Sequence, residues 1–278
     1  LRTYYMLNGE PVSPERLQIN ALDRGFLYGY SLFETMLVRE GKPVFLQAHV
    51  ERLLLSAADL GIVLPVTGDG LAAICRDALR CSGVGSGVLR LTATAGPDNG
   101  NAGSVVLAVR EGVPYRPQQY EKGIAVLELD FPRNEKSPLV RHKTANYLEN
   151  LLGRRKARSM GCDEGIFLNT RGRVAEGTAS NIFIVINGEI WTPPVEAGLL
   201  PGIIRRLVID YSSQTGLCCQ EKNITRDELA CAGECFVTNS LMGVMPVTEL
   251  NGLPVGTGVP GPVTLKVADL YNKLIKAT

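Results

Sequence analysis

An apolar run broken by a turn signal opens the chain. Tyr4-Tyr5-Met6-Leu7 and Glu10-Pro11-Val12 flank Asn8-Gly9, a signature of a tight β-hairpin. A stretch rich in glycine and aromatic residues, Ala21 to Thr35, leads into an expected strand over Thr35–Arg39, and Glu40-Gly41 turns the chain towards Pro43-Val44-Phe45-Leu46. From Leu46 the period changes. Val50, Leu53, Leu54, Ala57 and Leu60 recur at helical spacing and predict a helix that stops near Gly61. A second helix is expected over Gly70–Cys81, followed by two alternating strands, Gly87–Thr94 and Ser104–Val109, joined by the turn Gly96-Pro97-Asp98-Asn99-Gly100.

Glu111 to Gln119, interrupted by Gly112, Pro114 and Pro117, fits neither period. It predicts a domain boundary, with an α+β domain over 1–111, an interdomain loop over 112–122 and a second domain over 123–278. That second part begins with a strand, Ile124–Leu129, and passes Pro132 and Pro138 before Lys143. Tyr147, Leu148, Leu151 and Leu152 then form a helical stripe ending near Gly161, with Arg154, Arg155, Lys156 and Arg158 expected on its solvent side. Gly165–Leu168 and Arg173–Glu176 flank the turn Thr170-Arg171-Gly172, and Asn181–Ile186 pairs with Glu189–Thr192 through Asn187-Gly188. Gly198-Leu199-Leu200-Pro201-Gly202 opens a helix over Ile203–Ser213. Cys235–Thr238 reads as a strand ending at Asn239-Ser240, and a closing helix spans Val263–Ile275.

Composition narrows the class of partner. With 29 Lys and Arg against 28 Asp and Glu, the net charge of +1 removes the simplest argument for nucleic acid or an anionic membrane. No apolar run reaches the length of a membrane span, and the opening Leu1-Arg2-Thr3-Tyr4-Tyr5 lacks a signal-peptide core, so a cytoplasmic protein is expected. The seven cysteines are scattered without a CxxC pair, and only His49 and His142 could join them. Free thiols in a reducing compartment are expected, and no metal site.

Against this background a few polar residues stand out. Lys143 lies between an extended, proline-containing segment and a helix, where a desolvated lysine can lose its proton and attack a carbonyl. Glu176 ends a strand beside the irregular loop Gly177–Ser180. Arg52 lies off the centre of its apolar stripe, and Arg90 has apolar neighbours on its strand. The start of the helix at Gly202-Ile203 presents unpaired backbone N–H groups, and Thr238-Asn239-Ser240 are small polar residues at a strand end. Each has an ordinary structural explanation: a solvated lysine, a strand-end acid, a paired arginine, a plain turn. Together they are an inventory suited to pyridoxal phosphate, with an amine for its aldehyde, an acid for its ring nitrogen and a cup for its phosphate.

Six stretches in order carry a closer likeness: Asp23-Arg24-Gly25-Phe26-Leu27-Tyr28-Gly29 with Phe33-Glu34-Thr35; His49-Val50-Glu51-Arg52-Leu53; Lys143 to Leu148; Glu176-Gly177 with Asn181-Ile182-Phe183; Leu200-Pro201-Gly202-Ile203; and Thr238-Asn239-Ser240. In these the chain resembles the class IV aminotransferases of the pyridoxal-phosphate fold type IV group, which includes D-amino-acid and branched-chain aminotransferases and 4-amino-4-deoxychorismate lyases. The resemblance implies an α+β/α/β architecture with a smaller N-terminal α+β domain and a larger, β-barrel-like C-terminal domain with helices. It implies that Lys143 binds pyridoxal 5'-phosphate as a Schiff base and moves the substrate proton. Glu176 would face the pyridine nitrogen and Tyr147 the cofactor O3′. Arg52, Gly202, Ile203, Ile204 and Ser240 would hold the phosphate, with Asn181, Leu200, Thr238 and Asn239 around the cofactor. Arg24, Tyr28, Tyr30, Phe33, Arg90, Leu241 and Met242 would line the substrate side. The partners implied are an amino acid, a 2-oxo acid and a second copy of the chain in a homodimer.

The subgroups differ in what they would require. Ser240-Leu241-Met242 departs from the Thr-Ala-Ala type of loop in branched-chain enzymes, and Arg90-Leu91-Thr92 lacks the histidine of the Arg-x-His pair in D-amino-acid transaminases. Thr238-Asn239-Ser240-Leu241 and Phe33-Glu34-Thr35 look most like the lyases, while Tyr30-Ser31 replaces a common Asp-Gly pair. The expected reaction is transamination, with D-amino acids favoured because Arg90 and Arg24 could hold a second carboxylate. The alternatives are the lyase, which makes 4-aminobenzoate and pyruvate, and a branched-chain L-amino-acid aminotransferase. A noncatalytic protein of the same fold would have lost Lys143 or Glu176, and neither is missing.

Overall fold

The computed structural model describes residues 3–98 and 102–276, so Leu1, Arg2 and the Asn99-Gly100 half of the expected turn lie outside the described residues. The chain divides into two units. One takes the described residues up to Pro114 together with His142–Tyr147, and the other takes Tyr115–Arg141 with the chain from Leu148 onward. Within the stretch expected to be a linker, Pro117–Lys122 forms a short helix that belongs to the second unit.

The first unit is a six-stranded antiparallel sheet covered by two helices. The strands run in the order Glu10–Val12, Thr3–Leu7, Val105–Glu111, Ser86–Thr94, Ser31–Arg39 and Lys42–Pro43. Alternation places Met36, Val38, Leu89, Leu91, Leu107 and Val109 in the core, against Val50, Leu53 and Ala57 of the Leu46–Asp59 helix and Leu71, Cys75 and Leu79 of the Gly68–Ser82 helix. The Ser31–Arg39 strand starts four residues before the expected Thr35. Its first half carries Ser31 and Glu34, polar residues that are buried there, so hydropathy understates its length. Lys143 to Ala145 joins this unit as a short bridge: Phe33 N donates to Lys143 O at 2.9 Å and Ala145 N to Ser31 O at 3.0 Å.

The second unit is built on a nine-stranded mixed sheet. From Cys219–Glu221 it passes through Glu189–Thr192, Asn181–Ile186, Glu234–Asn239, Gly243–Leu250, Ile124–Glu128 and Glu164–Leu168 to Val174–Gly177, with Leu253–Pro254 paired to the Gly243–Leu250 strand. Val174–Gly177 returns beside Asn181–Ile186, so the sheet curls in the barrel-like manner expected. Ile166, Val174, Ile182, Ile184, Val237 and Met245 fill its interior. One helix departs from its expected orientation. In Leu148–Ser159 the buried positions are Asn150, Gly153 and Ala157, whereas the leucines of the apolar stripe, Leu148, Leu151 and Leu152, are exposed. No helix among the described residues is long and apolar enough to cross a membrane, and no group of three or more His, Cys, Asp or Glu among them is placed to hold a metal ion.

Candidate active site

In the first unit the polar residues gather around Phe33. The ring is buried in the strand beside the Lys143 bridge, with Lys143 Nζ 4.5 Å from its centroid and the Tyr147 ring packed edge-on at 5.4 Å. Arg90, on the neighbouring strand, holds its guanidinium 3.9 Å from the same centroid. Arg90 is exposed by area, yet burial of its charged end lowers its pKa, a trend that the Tyr147 phenol opposes. No ion pair or hydrogen bond of the Arg90 side chain occurs among the described residues. A planar cation stacked on an aromatic face, with its donors unspent, is chemistry for an incoming carboxylate.

Arg52 lies on the Leu46–Asp59 helix of the same unit and pairs with Glu34 of the Phe33 strand. Its Nε donates to Glu34 Oε1 at 2.8 Å and its Nη2 to Glu34 Oε2 at 2.7 Å, a fork-to-fork pair, while His49 Nδ1 lies 2.6 Å from Oε2. Burial would raise the Glu34 carboxyl, but the Arg52 charge, with His49 behind it, outweighs this and holds it at about 2. Burial also dominates at His49, whose pKa falls despite the adjacent carboxylate. Arg52 is the main counter-charge to Glu34. Glu34 and His49 both lie in stretches that carry the family likeness, yet neither was given a role there; the glutamate inside the apolar run Leu32 to Met36 was the local signal for a buried pair.

Three other expected residues are tied into this unit. Arg24 donates from Nε to Gly96 O and from Nη2 to Ala95 O, each at 2.9 Å, and pairs with Asp98 at 3.2 Å. The Tyr30 hydroxyl donates to Leu60 O, and the Tyr30 ring lies under Arg24. Tyr28, on the short helix Arg24–Tyr28, is exposed.

The second unit carries its own polar cluster around Glu176, at the end of the Val174–Gly177 strand. Glu176 is 4% exposed; its Oε1 accepts from Arg133 Nη2 at 2.5 Å and its Oε2 from Leu200 N at 3.0 Å. Leu200 thus contributes through its backbone. Asn181 Nδ2 donates to Leu200 O at 2.9 Å, fixing the loop before the Ile203–Tyr211 helix. That helix starts at Gly202 with no side-chain cap, and a Cβ on Gly202 would fall 2.0 Å from Asn181 Oδ1. The close approach requires glycine, and a glycine N-cap offers no side chain to the first N–H groups of the helix.

The Glu234–Asn239 strand ends in the turn that carries Ser240, Leu241 and Met242. Asn239 is saturated there: its Oδ1 accepts from Leu241 N and Met242 N at 2.9 and 2.8 Å, and its Nδ2 donates to Ala179 O and Tyr115 Oη at 3.0 and 3.2 Å. It shapes the turn, and its hydrogen-bonding groups are all engaged. Thr238 is 1% exposed, and its hydroxyl finds no partner among the described residues. Ser240 is half-buried and Met242 is buried.

Comparison with known proteins finds relatives over nearly the whole chain. Residues 31–250 match the model of a protein family described as amino-transferase class IV. A D-alanine aminotransferase of Bacillus licheniformis is 30% identical over 98% of each chain. The crystal structure of the Escherichia coli branched-chain amino acid aminotransferase superposes with a TM-score of 0.92 at 29% identity, covering 98% of this chain and 94% of that one. A Legionella pneumophila structure assigned as a 4-amino-4-deoxychorismate lyase gives a TM-score of 0.84 at 30% identity, over 94% of this chain and 96% of that one.

Proposed function

The chain belongs to the class IV aminotransferases, fold type IV enzymes whose cofactor is pyridoxal phosphate, and from that premise we propose that it transfers the amino group of a D-amino acid to a 2-oxo acid, with dicarboxylic substrates preferred. The residues fit the cofactor. There is a lysine beside an aromatic ring, a buried carboxylate, an uncapped helix start at a glycine and, at Thr238, a buried hydroxyl with no protein partner among the described residues. When bound, pyridoxal phosphate supplies an electron sink that acidifies the substrate Cα proton. Lys143 is the base that takes this proton and returns it. Glu176 would hold a proton on the pyridine nitrogen, and Tyr147 would donate to O3′. Arg52, the Gly202, Ile203 and Ile204 backbone and Ser240 would hold the phosphate. Asn181, Leu200 and Asn239 keep these elements in shape, Thr238 lies nearby, and Phe33, Leu241 and Met242 bound the substrate.

The observation that carries the substrate class is Arg90, a guanidinium stacked on Phe33 with no carboxylate of its own among the described residues. Arg24 is already engaged with Ala95, Gly96 and Asp98, so the reading rests on Arg90. A branched aliphatic side chain offers nothing to such a cation. Aminodeoxychorismate, with two carboxylates, would use it equally, and the likeness of Thr238-Asn239-Ser240-Leu241 to the lyases keeps that reaction as the second reading. Arg90→Met should raise KM for D-glutamate about tenfold or more and leave D-alanine little changed, because one charge-assisted pair is worth about 1.5–3 kcal/mol. Equal effects on both substrates would remove Arg90 from that role.

The active form is a homodimer. Leu22, Phe26, Leu27 and Tyr28 form one exposed apolar group and Leu148, Leu151 and Leu152 another, and a second copy of the chain is their occupant. All seven cysteines are free, which suits a reducing cytoplasm.

A further inference from the structure

Glu176 does not stand alone. Arg133, itself 8% exposed, divides its guanidinium between two carboxylates: Nη2 lies 2.5 Å from Glu176 Oε1, and Nη1 lies 2.6 Å from Glu149 Oε2. Nη1 also donates to Asn150 Oδ1 at 3.1 Å, and Asn150 Nδ2 donates to Thr178 O at 2.8 Å, which fixes the arginine to the loop that follows Glu176. The guanidinium carbon lies 4.9 Å from the Phe167 centroid, so the fork is held by packing as well as by charge. Burial alone would lower the Arg133 pKa, but Glu176 and Glu149 together raise it above the ordinary value.

The charge balance is informative. Burying a carboxylate costs least beside a cation, and Arg133 supplies that cation to Glu176. An arginine committed to it alone would neutralise it and weaken its hold on any second cation. Glu149 alters this balance: with both acids ionised, the three groups sum to one negative charge, which a protonated pyridine ring would cancel. Glu149 sits in the first turn of the Leu148–Ser159 helix with 43% of its side chain exposed, so the fold does not need it buried.

We propose that Glu149 is a positioning residue that draws part of the Arg133 charge away from Glu176, leaving Glu176 basic enough to keep the cofactor's ring nitrogen protonated. The inference rests on the reading of Glu176 as the partner of that nitrogen. It accounts for a glutamate and an arginine that contact neither substrate nor cofactor in that reading.

The test compares two ligands on the full-length apoprotein by equilibrium dialysis: pyridoxal phosphate and its 1-deaza analogue, in which C–H replaces the ring nitrogen. The wild type should bind pyridoxal phosphate the more tightly, and Glu176→Gln should erase that preference. Glu149→Gln should lower the ratio of the two affinities about three- to tenfold while leaving the affinity for the analogue unchanged, and Glu149→Ala should lower it as far, because the effect lies in the charge. A ratio unchanged or increased in both Glu149 variants, or affinity lost for both ligands alike, would overturn the proposal and leave Glu176 in its role. A wild type that does not distinguish the ligands, or a preference that survives Glu176→Gln, would instead overturn the reading of Glu176, and the proposal with it.

Discussion

A carboxylate folded into an apolar strand needs a permanent counter-charge, and Glu34 has one in Arg52. Its pKa of about 2, against 4.5 for the free side chain, reflects a balance in which burial opposes ionisation and the arginine, aided by His49, prevails. A carboxyl group depressed in the folded state contributes its full stability above the unfolded pKa and loses it as pH falls through the folded pKa. The window therefore runs from about pH 4.5 down to about 2, and the contribution is on the order of 3 kcal/mol. Urea denaturation of Glu34→Gln should show lower stability at neutral pH and a flatter dependence across that window. A slope equal to that of the wild type would show that Glu34 titrates normally. At the same scale the sequence displayed Lys143, Glu176 and Arg90 through their local settings. It gave no sign of Arg133, whose partners Glu149 and Glu176 come from distant strand and helix positions that only the fold brings together.

Elements were legible where one period ran uninterrupted. The helices over Leu46–Asp59, Gly68–Ser82 and Pro262–Lys276 and the strands over Ser86–Thr94 and Asn181–Ile186 follow their patterns within a few residues. The Gly243–Leu250 strand was not anticipated, because glycine and proline at Gly243 and Pro246 conceal its alternation, although it pairs with Glu234–Asn239. In Leu148–Ser159 the apolar stripe was plain but its direction was not: Gly153 and Ala157 are small enough to pack against the sheet, and the leucines face outward. The turn between the Glu234–Asn239 and Gly243–Leu250 strands offers a sharp test. Gly243 has φ +66°, and a Cβ there would lie 2.2 Å from Cε1 of the buried Tyr271 ring. Gly243→Ala should cost about 2 kcal/mol or more in thermal or urea unfolding, since backbone strain and overpacking act together. Unchanged stability would mean that the turn is free to relax.

For the molecule as a whole, the proposed homodimer would cover the exposed leucines of the Leu148–Ser159 helix and the apolar group around Phe26. Sedimentation should show a dimer for the wild type and a folded monomer for Leu151→Glu, which sets a charge within the stripe. A wild-type monomer, or a variant that stays dimeric, would place the interface elsewhere. The reaction itself is read out by a screen of single amino acids with the cofactor-loaded protein. With D-glutamate, D-aspartate, D-alanine or L-leucine offered one at a time, stoichiometric formation of the matching 2-oxo acid should be fastest for the two D-dicarboxylic acids and absent in Lys143→Ala. No 2-oxo acid from any of them, with pyruvate and 4-aminobenzoate released from aminodeoxychorismate, would make the protein a lyase and not a transaminase.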